Sequence, residues 1–174
     1  MTHSPTDPAP RHLRLDTPVG RYLIAARRTP EGDAVTGVWR ENQSHFPRAA
    51  RLGERTAGPD PLLEEASRQL LAYLAGEATG FDLPLAPAGT EFQQRVWDAL
   101  RRIPYGATTT YGALAREIGA PRAAQAVGAA VGANPLSIVV PCHRVLASDG
   151  ALTGYAGGIG TKEALLRIEG ALPA

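Results

Sequence analysis

The sequence predicts an α+β protein in two parts: an N-terminal α+β domain over residues 11–88 and a helix-rich C-terminal domain over residues 89–174. A disordered N-terminus at residues 1–10 precedes them. Three observations lead to this division. From Arg11 to Asn42 apolar residues alternate with the period of two that a half-buried sheet requires, in pieces at Leu13 and Leu15, Tyr22 to Ala26, and Val35 to Trp39. Beyond residue 89 the apolar spacing becomes helical. Between the two, the prolines of Phe81-Asp-Leu-Pro-Leu-Ala-Pro-Ala-Gly89 exclude a helix and mark an extended linker, with a domain boundary near 89.

The elements follow in order. Thr29-Pro-Glu-Gly-Asp33 is a turn between the last two strands of an antiparallel meander. Residues 43–60 are polar and rich in Gly, Pro and Arg, which predicts a loop. Asp60-Pro61 opens a helix, with aspartate as cap and proline in the first turn. Leu63, Ala66, Leu70 and Leu74 form its apolar stripe, which ends near Gly76. Thr90-Glu-Phe-Gln93 is a capping box for a helix carrying Phe92, Val96, Leu100 and Ile103, and Pro104-Tyr105-Gly106 stops it. After Thr110, the residues Tyr111, Leu114, Ala115 and Ile118 mark a second helix ended by Gly119.

Pro121 leads into a third helix over Arg122 to Ala133, with Ala124, Val127 and Val131 inward and Arg122 and Gln125 off that face. Two short helices joined by Gly-Ala-Pro resemble a helix-turn-helix. Ala123, Ala126, Ala129, Ala130 and Gly132 predict a nearly flat exposed helix surface, able to approach a narrow groove closely. Leu136-Ser-Ile-Val-Val140 reads as a buried strand ending at Pro141. Asp149-Gly150, between short apolar pieces over Val145 to Thr153, is a hairpin signal that predicts a wing beside the helix pair. Tyr155-Ala-Gly-Gly158 reads as a flexible loop. Thr161 caps a last helix with Leu165, Leu166 and Ile168 inward and Glu169 near its end.

Composition narrows the function classes. A chain of 174 residues, 44 % hydrophobic, can bury one substantial core or two small ones. Its single cysteine excludes an internal disulfide, and His3, His12, His45 and His143 are too scattered to suggest zinc, so no metal is expected. No stretch approaches the ~18 apolar residues of a membrane span. The start MTHSPTDPAP has no signal-peptide pattern, which predicts a cytoplasmic protein. The net charge of +1 is split mildly between a slightly acidic first half and a slightly basic second half, too little by itself to indicate nucleic acid.

The chemistry centres on Cys142, in Pro141-Cys142-His143-Arg144-Val145. A thiol delivered to the rim of a core beside an imidazole and a guanidinium is a candidate nucleophile. On a regular strand Cys142 and His143 would point to opposite faces. Either the chain turns at Pro141 or the imidazole acts through a water, and both permit general-base activation of the thiol. Glu169 can supply the carboxylate that orients the imidazole, in a Cys-water-His-Glu relay.

The ordered motifs carry a resemblance. Asn134-Pro135, Pro141-Cys-His-Arg-Val145, Thr153-Gly-Tyr-Ala-Gly-Gly158 and Lys162-Glu-Ala-Leu-Leu are preceded by Phe92-Gln-x-x-Val-Trp97, Ile103-Pro-Tyr-Gly106 and Tyr111-Gly-x-Leu-Ala115. With the looser Thr17-Pro-Val-Gly20 and Phe81-Asp-Leu-Pro-Leu85 upstream, the chain resembles the 6-O-alkylguanine-DNA alkyltransferases, densely over about 90–170. The resemblance implies a ribonuclease H-like N-terminal domain and a winged-helix-like C-terminal domain. It also implies transfer of an alkyl group from the sixth-position oxygen of guanine in double-stranded DNA to Cys142, once per molecule, by a monomer that needs no cofactor.

The same resemblance implies residue roles. His143 is the water-linked base and Glu169 its partner, Asn134 braces the active-site turn, and Tyr111 donates to a ring nitrogen of the flipped guanine. The carbonyls of Cys142 and Val145 accept from the exocyclic amine, the loop at Tyr155 and Ala156 closes the pocket, and Lys162 supports it. Thr110, Arg122, Ala123, Gln125, Ala126 and Ala129 face the DNA minor groove. Gln125 stands where the family has an arginine that fills the space left by the flipped base, and no N-terminal cysteine is present for a structural zinc. Two other readings compete: a sensor of alkylated DNA that recruits other repair factors, whose relatives lack the cysteine, and a cysteine hydrolase using Cys142 and His143.

Overall fold

The computed structural model describes residues 9–173, so the tail expected at residues 1–10 lies almost entirely outside the described residues. The meander forms as expected, from β1 (Arg11–Thr17), β2 (Gly20–Thr29) and β3 (Gly32–Arg40), with antiparallel pairing and a register shift at Ala25/Ala26. Tyr22, Ile24 and Ala26 of β2 face α2 (Pro61–Leu74), whose Leu63, Ala66, Leu70 and Tyr73 close the core against them. On the other face the Trp39 ring lies across Gly37, where any side chain would collide with it.

Residues 43–60 are more ordered than a loop. They contain a helical turn, α1 (Ala49–Leu52), and a short strand, β4 (Glu54–Arg55), that pairs parallel to β1 and makes the sheet order β3-β2-β1-β4. Backbone pairing to an open sheet edge needs no apolar periodicity, so the composition gave no sign of it. The linker over 81–89 is also held rather than free. Val35 N donates to Pro84 O (2.8 Å) and Ala86 N to Val35 O (2.9 Å), which straps the segment to the outer edge of β3. A second strap follows on the same edge: Val38 N donates to Pro135 O (2.8 Å), and Ser137 N to Val38 O (3.0 Å).

In the second half α3 (Glu91–Arg101) starts at the expected reciprocal capping box of Thr90 and Gln93. A two-residue strand, β5 (Thr109–Thr110), leads into α4 (Tyr111–Glu117), where Thr110 Oγ1 accepts from Ala113 N at 3.1 Å. The third helix, α5 (Ala124–Gly132), is shorter than expected, because Pro121 and Arg122 form a turn before it. Ala130 is buried rather than part of the flat outer surface: its carbonyl accepts Trp97 Nε1–H at 2.9 Å, which joins α3 to α5. The core is continuous across both halves, running from Tyr22 through Leu70 to Val127 and Leu165.

Three further expectations are corrected. Leu136–Val140 is a tight turn rather than a strand, with Ile138 at φ 72° and Val140 N bonded to Leu136 O (2.8 Å). The Asn134 side chain takes up the backbone groups a strand would pair: Leu136 N donates to its Oδ1 (2.9 Å), and its Nδ2 donates to Val140 O (2.9 Å). The wing is a turn rather than a hairpin. Its first leg, β6 (Val145–Leu146), pairs parallel to β5, while the carbonyl of Thr153 on the return leg is claimed by side chains of the candidate site. The last helix, α6 (Ile159–Ile168), begins after Gly158, so Thr161 lies buried inside it and does not cap it.

Asp60 secures the first half in two ways, accepting from Leu63 N as the cap of α2 (3.1 Å) and pairing with the Arg11 guanidinium. The bond to Arg11 is the main cause that lowers its carboxyl pKa, against the effect of burial. Asp60→Ala is expected to lower stability by about 1–2 kcal/mol, the size of a lost helix cap plus a partly exposed ion pair. Urea denaturation with an unchanged m-value checks it; an unshifted midpoint would contradict the assignment.

Candidate active site

Cys142, His143 and Arg144 form a single 3-10 turn rather than a strand, so the alternation of a pleat does not apply to them. The thiol is buried, 6 % exposed. Burial pushes its pKa up, while the Asn134 side chain and the Lys162 ammonium pull it part of the way back. At neutral pH it is protonated. Asn134, expected as a brace, ties both ends of the turn that presents it.

His143 is fully buried, and its Nε2 meets Glu169 Oε1 at 2.5 Å. Burial lowers its pKa, outweighing the Glu169 carboxylate, so the ring is neutral at rest. With Nε2–H assigned as the donor to the carboxylate, Nδ1 is left as an acceptor, and it is buried with no protein partner. Glu169 ends α6 and is buried too. Arg144 grips it with Nε to Oε2 (2.8 Å) and Nη2 to Oε1 (3.0 Å), Tyr73 donates its hydroxyl to Oε1, and Gly106 N donates to Oε2 (3.3 Å). Burial alone would raise this carboxyl, but the donors from His143 and Arg144 and the Tyr73 hydroxyl hold it down at about 2. Gly106, at φ 76°, takes a conformation that favours glycine and brings its N–H to the carboxylate.

Lys162 is fully buried and donates to Val145 O (2.5 Å) and Thr153 O (2.8 Å), which fixes the exit of the cysteine turn against the loop above it. Burial lowers its ammonium pKa to about 8. Tyr111 Oη donates to the same loop, at Thr153 O (3.3 Å), and burial raises its phenol pKa, so it remains a proton donor. Tyr155 and Ala156 line a cleft with Gly128, Ala129 and Gly132 of α5 and with Ser44 and His45 of the first half. Ser44 N donates to Ala156 O (3.1 Å).

The structure thus gathers Asn134, Cys142, His143, Val145, Lys162 and Glu169 into one buried cluster, with Tyr111, Tyr155 and Ala156 in the wall above it. Arg122, Gln125, Ala126 and Ala129 lie exposed along the start and outer face of α5, Ala123 is half-buried, and the Thr110 hydroxyl is occupied in capping α4. Reading the sequence missed Arg144 and Tyr73 as members of the cluster, and Tyr22 and Tyr155 as buried hydroxyls without partners. Burial raises the pKa of both of these hydroxyls. Tyr73 continues the predicted stripe of α2, and a tyrosine at a core position carries a hydroxyl that needs a partner. Among the described residues no three His, Cys, Asp or Glu side chains gather as a metal site, and no helix is long and apolar enough to cross a membrane.

An α+β fold carrying one buried thiol beside a neutral imidazole and a locked carboxylate defines the class: a protein whose geometry suits chemistry at cysteine. Residues 91–171 match the family model described as the 6-O-methylguanine DNA methyltransferase DNA binding domain. The chain is 57 % identical over 156 residues to the methylated-DNA–protein-cysteine methyltransferase of Methanosarcina acetivorans, covering 90 % of this chain and 96 % of that one. It is 41 % identical to that of Haemophilus influenzae, over 88 % and 82 % of the two chains. The crystal structure of Mycobacterium tuberculosis O6-methylguanine methyltransferase superposes with a TM-score of 0.79 at 44 % identity, over 95 % of this chain and 96 % of that one. M. tuberculosis OGT in complex with DNA gives the same score. The chain belongs to the methylated-DNA–protein-cysteine methyltransferases.

Because Glu169 carries the only carboxylate facing both His143 and Arg144 in this cluster, Glu169→Gln is expected to destabilise the fold by roughly 3–5 kcal/mol, the usual penalty for stripping one partner from a buried pair. Wild-type stability should fall with acid in two stages. The first begins below about 6.5, where the unfolded chain protonates histidine and the buried ring resists, and the second lies between the ordinary carboxylate range and about 2, the depressed value of Glu169. Denaturant titrations across pH test both, and the second stage should be smaller in Glu169→Gln, with the remainder carried by other paired carboxylates such as Asp60.

Proposed function

We propose that this chain repairs DNA by taking the alkyl group from the sixth-position oxygen of guanine in a duplex onto Cys142, once per molecule. The observation that carries the reading is the pairing of the buried thiol with an imidazole whose Nε2 is locked to Glu169 while Nδ1 is left free to accept. In this reading a water links Sγ to Nδ1, and the thiol proton passes through it as the sulfur attacks. The imidazolium that forms is stabilised by the adjacent carboxylate. The new S–C bond forms as the C–O6 bond breaks, and the electron pair departs with the guanine, where the Tyr111 hydroxyl donates to a ring nitrogen. A thioether offers no route back by thiol exchange, so the protein is consumed.

The target atom is stacked inside the duplex, so the nucleotide must be extruded at a cost of a few kcal/mol. We place α4 and α5 as a helix-turn-helix with the exposed face of α5 in the minor groove, bound by a monomer. Ala126 and Ala129 leave that face low enough for close approach, and the cleft beside Tyr155 and Ala156 receives the base. The sheet half serves as the ribonuclease H-like scaffold of the family. Mixing the protein with duplex DNA containing 6-O-methylguanine should add one methyl mass to Cys142, after which fresh substrate goes unreacted. Residual transfer by Cys142→Ala would sink the assignment.

Gln125 is exposed in the first turn of α5, a neutral amide where the family has arginine. A planar cation can stack in the vacated space and bond to the orphaned base better than a shorter amide can, so the flipped state should be less populated here. Gln125→Arg is expected to accelerate transfer from duplex DNA and to leave reaction with the free base nearly unchanged. The first-order rate at saturating protein separates this from tighter binding by one more phosphate contact. An unchanged saturated rate would remove Gln125 from the gap-filling position.

A further inference from the structure

We infer that Tyr73, from the sheet-bearing half of the chain, is a positioning residue for the transfer: its hydroxyl bond to Glu169 Oε1 sets how strongly the carboxylate holds the imidazole of His143. The inference rests on the relay described above and adds to it a member from outside the thiol-bearing half.

The ring of Tyr73 is fully buried on α2 and fixed on two sides. Phe81 lies against it with centroids 5.0 Å apart, and Tyr105 meets it edge-on at 5.9 Å. Packing alone would be served by phenylalanine, which fills the same space without a polar atom to bury. The hydroxyl instead reaches the carboxylate of α6, lies 3.5 Å from His143 Nε2, and receives Arg144 Nη2 at 3.4 Å. Tyr105, the other tyrosine in this corner, does not compete, because its hydroxyl donates to Ile168 O at 3.2 Å.

Oε1 is therefore shared. His143 Nε2–H and the Tyr73 hydroxyl both donate to it, and Arg144 donates to both oxygens. The charged groups around the ring are Glu169 and Lys162 from α6 and Arg144 from the turn, with Cys142 on the thiol side. Glu169 favours the imidazolium and Arg144 and Lys162 oppose it, while Cys142 is a neutral thiol at rest. Each further donor to Oε1 spreads its negative charge and weakens its pull on the proton that His143 must first lack and then accept. With the hydroxyl in place the ring stays neutral to lower pH. Without it the carboxylate is more basic toward the imidazole, and the pH at which the ring becomes protonated rises.

The test is Tyr73→Phe, which keeps the ring packing, beside Tyr73→Leu, which removes both ring and hydroxyl. The His143 titration midpoint is followed by ring NMR without DNA, and the acid limb of the transfer rate is followed with methylated duplex. In Tyr73→Phe both are expected to move up together by on the order of one unit, the scale of one charge-assisted hydrogen bond. Tyr73→Leu should show the same displacement with a lower melting temperature. A purely structural role would lower stability or the plateau rate and leave the midpoint in place, and an unmoved midpoint in Tyr73→Phe overturns the inference. Absence of methyl transfer by the wild type would instead overturn the proposed function, and the substrate-free titration would still decide the part played by Tyr73.

Discussion

A single buried carboxylate organises the centre of this molecule. Glu169 has lost its water, and an ionised carboxylate without water must be surrounded by donors or give up its charge. It draws those donors from separate pieces of chain: Tyr73 from α2, Gly106 from the turn after α3, and His143 and Arg144 from the cysteine turn. Arg144 is fastened further by Nη1 to Ile103 O (2.6 Å) and by the face of Tyr105. Each donor fixes the segment it comes from, so satisfying the charge also fixes the orientation of the imidazole. The group that stabilises the fold at neutral pH and the group that orients the imidazole are the same atoms.

The thiol depends on a second constraint, the open edge of the sheet. An outer strand presents unpaired N–H and C=O groups, and β3 satisfies its own with segments 84–86 and 135–137. The second of these is the root of the Asn134 turn. The cysteine turn is thus anchored below by backbone bonds to β3, held across by the Asn134 amide, and held above by Lys162 on Val145 O and Thr153 O. A thiol held on three sides has little freedom left to lose in a reaction, which is how proximity contributes to rate. This arrangement also gives the sheet half a reason to accompany the thiol-bearing half, since it supplies both the edge beneath the turn and the tyrosine beside the carboxylate.

Much of this was legible in the chain. The cap of α2 at Asp60, the reciprocal box of Thr90 and Gln93, and the stop of α4 at Gly119 are local: each needs only neighbouring residues, and each stands where the spacing put it, whereas α3 ends at Arg101, before the expected Ile103 and Gly106. The cluster of Asn134, Cys142, His143, Lys162 and Glu169 was legible through the order of its motifs. What failed was non-local. Leu136–Val140 looked like a strand because its residues are apolar, yet Asn134 captures the hydrogen bonds a strand would need. β4 and the 84–86 strap exist because a sheet edge elsewhere offered partners, and no periodicity records that.

By itself, then, the sequence determined the α+β class of fold, the helix starts capped by Asp60 and Thr90, and the candidate thiol, because these depend on residue chemistry within a few positions along the chain. Only the tertiary structure decided which side chains share the carboxylate. Arg144 and Tyr73 are separated by 71 residues and meet only because the first half folds onto the second. The energy of burying a charge is a property of everything that surrounds it, and the surroundings of Glu169 come into being only when the chain has closed around it.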